Sequence, residues 1–231
     1  MSTLAENLNL VQKRIAAACA RVGRKPTEIQ LLAVSKKFTP DIIREAADAG
    51  LTLFGENRIQ EAKIKIPDCP GHLRWHFIGN LQTNKCRDAV AFFEMLHAVD
   101  SLHLAKEINK RCEQAAKAMP ILIEVNVSGE GSKHGYSPAN LLDELDELAS
   151  LQHLEIHGLM TIAPWAAMQE KARPHFRRLS DIRKQCEENL GVSLPELSMG
   201  MSGDFEVAIE EGATIVRLGT ALFGQRGKPT P

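Results

Sequence analysis

The 231-residue chain is predicted to fold as one (β/α)8 barrel of the TIM type, preceded by an extra helix. Short apolar runs recur along its whole length, and almost every one leads into a polar or glycine-bearing turn. Helical stretches separate these runs, which is the pattern of a parallel sheet wrapped in helices. The runs number eight, and eight repeats favour closure into a barrel. A doubly wound open sheet is the competing arrangement. It more often carries a glycine-rich fingerprint after the first strand, where this chain has Ser35-Lys36-Lys37-Phe38. No shift in composition marks a second domain. Residues 1–231 are therefore read as one domain, with a helix within 1–29 packed on the barrel and a tail over 227–231.

Apolar side chains at Leu8, Leu10, Val11, Ile15 and Ala18 predict an amphipathic helix over residues 4–22, with Gly23 as its C-cap. Leu31 to Val34 is the first buried strand, and it runs into Ser35-Lys36. Pro40 opens a helix that Gly50 closes. Residues 51–54 form the second strand, ended by Gly55-Glu56-Asn57, and a helix through Gln60 and Lys65 stops at Pro67 and Pro70. The third strand, 75–78, leads to Gly79-Asn80-Leu81-Gln82. The fourth, 95–99, meets Asp100-Ser101, an N-cap for the helix over 102–118. Residues 121–127 are the fifth strand, followed by a polar loop over 128–137 and a helix from Pro138 to Leu148. The sixth strand spans 154–160, a long helix 168–190, the seventh strand 197–199, a brief helix 205–211 and the eighth strand 214–218.

Composition removes several classes of function. A formal charge of −1 gives no reason to expect nucleic acid or an anionic membrane surface as partner. No run of 18 apolar residues is present, so no membrane span is expected. Glu6, Lys13 and Arg14 interrupt the first 20 residues, which rules against a secretory signal. The five cysteines are widely spaced and form no CxxC pair, which suits a reducing cytoplasm better than a disulfide framework or a zinc site. The eight histidines show neither HxH nor HExxH spacing, so no metal is expected.

In a barrel the active site lies at the carboxyl ends of the strands. There this reading places Lys36, Asn57, Gly79-Asn80, Asp100-Ser101, Asn126, Met160-Thr161, Gly200 to Ser202 and Gly219-Thr220. Lys36 is either a solvated strand-end cation or an amine able to bond a carbonyl cofactor. Glycine and hydroxyl groups after strands seven and eight, here Ser202, Gly219 and Thr220, are where barrels commonly hold a phosphate, although the glycines could simply make tight turns. Arg217 shares a face with Gly219 by the strand period of two. If that face is the barrel interior, the guanidinium needs an acceptor: a pyridine nitrogen or a carboxylate from a neighbouring strand. His76 reads as a core histidine with a satisfied hydrogen bond more readily than as a ligand.

Several segments, in order, carry a resemblance. They are Ala33-Val34-Ser35-Lys36, Phe54-Gly55-Glu56-Asn57 with Gln60-Glu61, Trp75-His76-Phe77-Ile78-Gly79 with Leu81-Gln82 and Asn84-Lys85, Ser198-Met199-Gly200-Met201-Ser202 with Asp204, and Val216 to Gly224. Together they resemble the pyridoxal phosphate homeostasis protein family, whose barrel is related to the N-terminal domain of alanine racemase. The resemblance implies pyridoxal 5′-phosphate (PLP) bound as a Schiff base on Lys36. It further implies that Ser202, Gly219 and Thr220 hold the phosphate, that Arg217 meets the pyridine nitrogen, and that Asn57 and Met201 lie in the contact shell. It implies a role in vitamin B6 homeostasis and cofactor supply, with PLP-dependent apo-enzymes as recipients and consequences for amino-acid metabolism. Racemases add a second domain whose tyrosine is a further acid/base, and this chain has a single tyrosine, Tyr136. Racemization needs an acid or base on each face of the substrate carbon. A monomeric carrier without catalytic residues is therefore expected, with a weak racemase as the alternative.

Overall fold

The computed structural model describes residues 3–131, 134–164 and 168–224. Its centre is a closed barrel of eight parallel strands in sequence order: β1 (Gln30–Val34), β2 (Leu53–Glu56), β3 (Arg74–Phe77), β4 (Met95–Val99), β5 (Met119–Glu124), β6 (Leu154–Met160), β7 (Glu196–Ser198) and β8 (Ile215–Leu218). β8 returns to pair with β1 in parallel, with Leu32 opposite Arg217. The expected (β/α)8 barrel is thus the observed one, and strand boundaries differ from the sequence reading by a few residues at most.

Side chains alternate across each strand and so divide the interior in two. Leu32, Val34, Leu53, Met95, Ala98, Leu122, Met160 and Ile215 fill the inside of the barrel. The intervening positions, such as Ala33, Phe54, Ile121, Ile123, Val216 and Leu218, join a larger core between the barrel and its helices. Those helices are α1 (Leu4–Arg21), α2 (Pro40–Asp48), α3 (Ile59–Lys65), α4 (Cys86–Phe92), α5 (Leu102–Gln114), α6 (Pro138–Ala149), α7 (Arg173–Leu190), α8 (Phe205–Glu210) and the single turn α9 (Thr220–Phe223).

α1 starts with a capping box on Thr3 and Glu6, and Gly23 follows its end at φ +69°. It packs on α8 and α9. Asn7 donates to Leu222 O, Arg14 pairs with Glu206, and Arg24 donates to Ile209 O and Ala213 O. α4 and α9 were not expected from the sequence, being short segments framed by loops. The expected helix over 168–190 is instead a 3-10 turn, Gln169–Ala172, followed by α7 with Pro174 in its first turn. Cys19, Cys86, Cys112 and Cys186 are buried, Cys69 half-buried, and all five are free, as the spacing predicted. The expected tail over 227–231 lies outside the described residues.

Candidate functional site

At the carboxyl ends of the strands lie two adjoining cavities of about 300 and about 280 Å³, which share Val34, Lys36, Met201 and Arg217 as walls. The first is completed by groups that include Ser202, Gly203, Asp204, Gly219 and Thr220. The second is completed by groups that include Asn57, Asn80, Glu124, His134 and Ile162. All seven residues singled out from the sequence therefore line one double cleft. Lys36, Met201 and Arg217 border both halves, Ser202, Gly219 and Thr220 only the first, and Asn57 only the second.

Lys36 follows β1 by two residues. Leu32 and Val34 face the barrel interior, and the same alternation carries Lys36 into its mouth. The backbone on either side of it is tied down. Lys37 adopts φ +68°, a left-handed conformation uncommon outside glycine, and its N–H donates to Glu61 Oε1. The buried Lys65 ammonium donates to Ser35 O at 2.9 Å, Glu56 Oε1 at 2.7 Å and Glu61 Oε1 at 2.7 Å. Ser35 Oγ donates to the same Glu56 oxygen at 2.6 Å. Burial raises the Glu56 pKa even against Lys65 and Ser35. Glu61 is also pushed up by burial, but Lys65 and the Lys37 N–H together hold it below its usual range. The sequence reading used Glu56 and Glu61 only for the resemblance and Lys65 only to trace a helix, and gave none of them a place at the site. Only the Glu61–Lys65 pair, four residues apart on α3, is a local pattern; the contacts to Ser35 and Glu56 join other elements.

Arg217 points inward from β8, in step with Ile215, and is 5% exposed. Its acceptors are Ser198 O at 2.7 Å, Ser198 Oγ at 2.7 Å and Thr161 O at 2.8 Å. The carboxylate partner considered as one alternative is not what the structure shows: Glu124 and Asp204 act on Arg217 only through charge. Burial lowers the Arg217 pKa to about 10, so the side chain stays charged at neutral pH. His76 is a core histidine with a hydrogen bond, as expected, but only at one of its ring nitrogens. Nδ1 lies 3.0 Å from His97 Nε2, whereas the buried Nε2 has no partner among the described residues.

In the first half of the cleft, Ser202 Oγ accepts from Gly219 N at 3.3 Å and from Ala221 N at 3.1 Å. Asp204 Oδ1 accepts from Met201 N at 2.6 Å and closes the turn that carries Ser202. Gly200 makes that turn possible: at φ +92° a Cβ would lie 2.6 Å from Ala208 Cβ. Gly219 is different. Its φ of −113° is outside the left-handed region that favours glycine, and a Cβ would meet Val34 at an ordinary 3.7 Å. A tight turn therefore does not explain this glycine, and the missing side chain leaves the backbone open to the cleft. Both amides are engaged by Ser202 Oγ, which leaves the Ser202 hydroxyl hydrogen and the exposed Thr220 hydroxyl as donors that fit a phosphate.

The second half carries a buried carboxylate. Glu124 follows Leu122 by two residues on the inner face of β5 and is 7% exposed. Burial and the neighbouring Asp100 push its pKa up to about 6. The sequence reading missed Glu124. Its signal was a carboxylate in phase with inward-facing Leu122 at the end of an apolar strand. Asn57 passes so close to Gly79 that a Cβ there would lie 2.4 Å from Asn57 O. Other rim residues serve the scaffold. Ser101 caps α5, Thr161 Oγ1 donates to Val125 O, and Asn126 bonds within its own loop, to Ser128, Gly129 and Glu130. Tyr136 does not line the cleft, although its N–H donates to Glu124 O at 2.8 Å, and its phenol donates to Glu144 Oε2 at 2.9 Å. Of the polar loop after β5, His134 borders the cleft, while Ser132 and Lys133 lie outside the described residues. Among the described residues no group of three His, Cys, Asp or Glu side chains could hold a metal, and no helix is long and apolar enough to cross a membrane.

Comparison with known proteins adds an independent measure. The family described as "Alanine racemase, N-terminal domain" matches residues 2–227. A relative from Aquifex aeolicus, named pyridoxal phosphate homeostasis protein, is 46% identical over 96% of this chain and 97% of its own length. The structure of PipY from Synechococcus elongatus with PLP bound superposes with a TM-score of 0.80 at 38% identity, covering 91% of this chain and all of that one. Alanine racemase from Clostridium difficile shares the fold at a TM-score of 0.76 and 15% identity, over 99% of this chain and 58% of the racemase.

Proposed function

Since the chain belongs to the alanine racemase N-terminal domain family and, within it, to the pyridoxal phosphate homeostasis proteins, we propose that it binds PLP through Lys36 and acts in keeping and supplying that cofactor. One observation carries this reading: Lys36, Arg217 and the Ser202–Gly219 donor set line one cleft half of about 300 Å³. Lys36 would hold the aldehyde carbon, Ser202, Gly219 and Thr220 would hold the phosphate, and Arg217 would donate to the ring nitrogen; all five residues line the first half of the cleft. Asn57 and Met201 complete the contact shell. PLP, when bound, supplies a conjugated ring that draws electrons from the carbon attached to its imine nitrogen. A charged arginine at the ring nitrogen keeps that nitrogen unprotonated and so weakens the draw. This favours storage over catalysis. The role as a monomeric cytoplasmic carrier feeding PLP-dependent apo-enzymes belongs to the same proposal.

The test is the absorbance spectrum of freshly purified protein before and after borohydride, followed by peptide mapping. The label is expected on Lys36, and Lys36→Ala is expected to abolish the protein-bound band entirely. A variant that keeps the wild-type band sinks the assignment.

Glu124 supports a second reading, a weak exchange of amino-acid α-protons, because a carboxylate with a pKa of about 6 borders the same cleft as Lys36. Incubation with single L-amino acids in deuterated water separates the two. Exchange sustained over many turnovers would overturn the carrier reading.

A further inference from the structure

A line of side chains crosses the barrel interior beneath the cleft. His76 on β3 lies 3.0 Å from His97 on β4, and His97 Nδ1 lies 3.0 Å from Ser198 Oγ on β7. Ser198 Oγ in turn lies 2.7 Å from Arg217 Nη1 on β8. All four residues are buried, at 1%, 0%, 0% and 5% exposure. β4 and β7 are not neighbours, so this contact runs through the barrel rather than along the sheet.

Donor and acceptor chemistry gives the line a direction. A guanidinium can only donate. Ser198 Oγ therefore accepts from Arg217 and has its own hydrogen to give, and His97 Nδ1 is the acceptor in reach. His97 then carries its hydrogen on Nε2 and donates to His76 Nδ1, which leaves the His76 hydrogen on Nε2. That nitrogen is buried and has no partner among the described residues. The reverse order would strand both the Ser198 hydrogen and the His76 Nε2 lone pair, two defects in place of one. Burial holds both rings neutral: His76 falls to about 3, and His97 lies well below its usual value, also disfavoured by His76 and Arg217.

We propose that His97 and His76, acting through Ser198, are positioning residues for Arg217, forming a one-way hydrogen-bond chain that aims the guanidinium into the cleft. Ser198 and Thr161 occupy three of its five N–H groups, and Arg217 lines both halves of the cleft, where the other two can meet a ring nitrogen. This use of the chain rests on the PLP reading above, while its direction does not.

The direction is tested on the cofactor-free wild-type protein by long-range ¹H–¹⁵N correlation of the histidine rings. Both His97 and His76 are expected neutral with hydrogen on Nε2. Hydrogen on Nδ1 of either ring, or a charged ring at neutral pH, overturns the proposal. The positioning role is tested by loading with PLP and timing its release after dilution. Ser198→Ala is expected to speed release about tenfold and to shift the absorbance maximum of the bound cofactor. His97→Phe, which keeps ring volume but removes the acceptor, is expected to act in the same direction by about threefold, and His97→Gln to recover most of the loss. Folded variants with wild-type release and spectrum overturn the positioning role. If the wild-type protein takes up no PLP, the PLP reading fails and the ring tautomers still decide the chain.

Discussion

Beneath Lys36 lies a charged clamp, Glu56–Lys65–Glu61, whereas beneath Arg217 lies the uncharged line Ser198–His97–His76. Both support a cation that borders the same cleft, yet by opposite means. Lysine bonds a carbonyl only as the free amine. Near Lys36 the second ammonium, Lys65, is held by two carboxylates, which offset its field, and the backbone on each side is pinned. Arginine keeps its charge under all ordinary conditions, so its surroundings need only supply acceptors. A charged histidine beside it would repel it. The difference is that charge beside Lys36 is compensated within the clamp, whereas the groups hydrogen-bonded to Arg217 are uncharged and its carboxylate neighbours, Glu124 and Asp204, act only at a distance.

Breaking the clamp should give the largest effect. Lys65→Met leaves Glu56 fully buried without its ammonium, and a buried pair broken on one side costs about 3–5 kcal/mol. Urea denaturation should show this as a lower midpoint at constant slope. Arg74 and Glu94, by contrast, form a pair about half exposed on each side, with 52% and 51% exposure. Arg74→Ala should change stability by at most about 1 kcal/mol. Equal losses in the two variants would show that the Lys65 network is no more than a surface pair.

A smaller effect should mark the neutral line. His76 has a folded pKa of about 3 against 6.5 for the free side chain, so the unfolded chain binds the extra proton between those values. Its stabilising contribution is complete above pH 6.5 and falls as the medium is acidified toward pH 3. At about 1.4 kcal/mol per unit, acidification to about pH 5 should cost about 2 kcal/mol. Glu124, raised to about 6, works in the opposite sense over its own range. The histidine part is therefore read from the difference between wild type and His76→Phe, whose stability should be flatter between pH 5 and 6.5. Parallel curves would mean that His76 is already charged in the fold.

Sequence reading reached the rim of the barrel more easily than what lies beneath it. Lys36, Ser202, Gly219 and Thr220 end or follow strands, and period-two alternation carried Arg217 inward from β8. The same alternation could have found Glu124, in phase with Leu122. It could not have found Lys65, whose three acceptors sit on Ser35, Glu56 and Glu61, nor the meeting of His97 with Ser198, 101 residues apart. Of the two partners considered for Arg217, the neighbouring carboxylate is not its acceptor within the protein: two backbone carbonyls and one hydroxyl are, on or just after strands that the barrel brings to it.

By itself, then, the sequence determined the barrel, through eight apolar runs alternating with helical ones, and placed the cleft at the ends of those runs. Local periodicity is enough for that, because strand and helix each expose one face to the core. Closure of β8 onto β1 decided the rest. It turned alternate side chains of distant strands toward a shared interior, where the desolvation that shifts His76, Glu124 and Arg217 comes from neighbours far away in sequence.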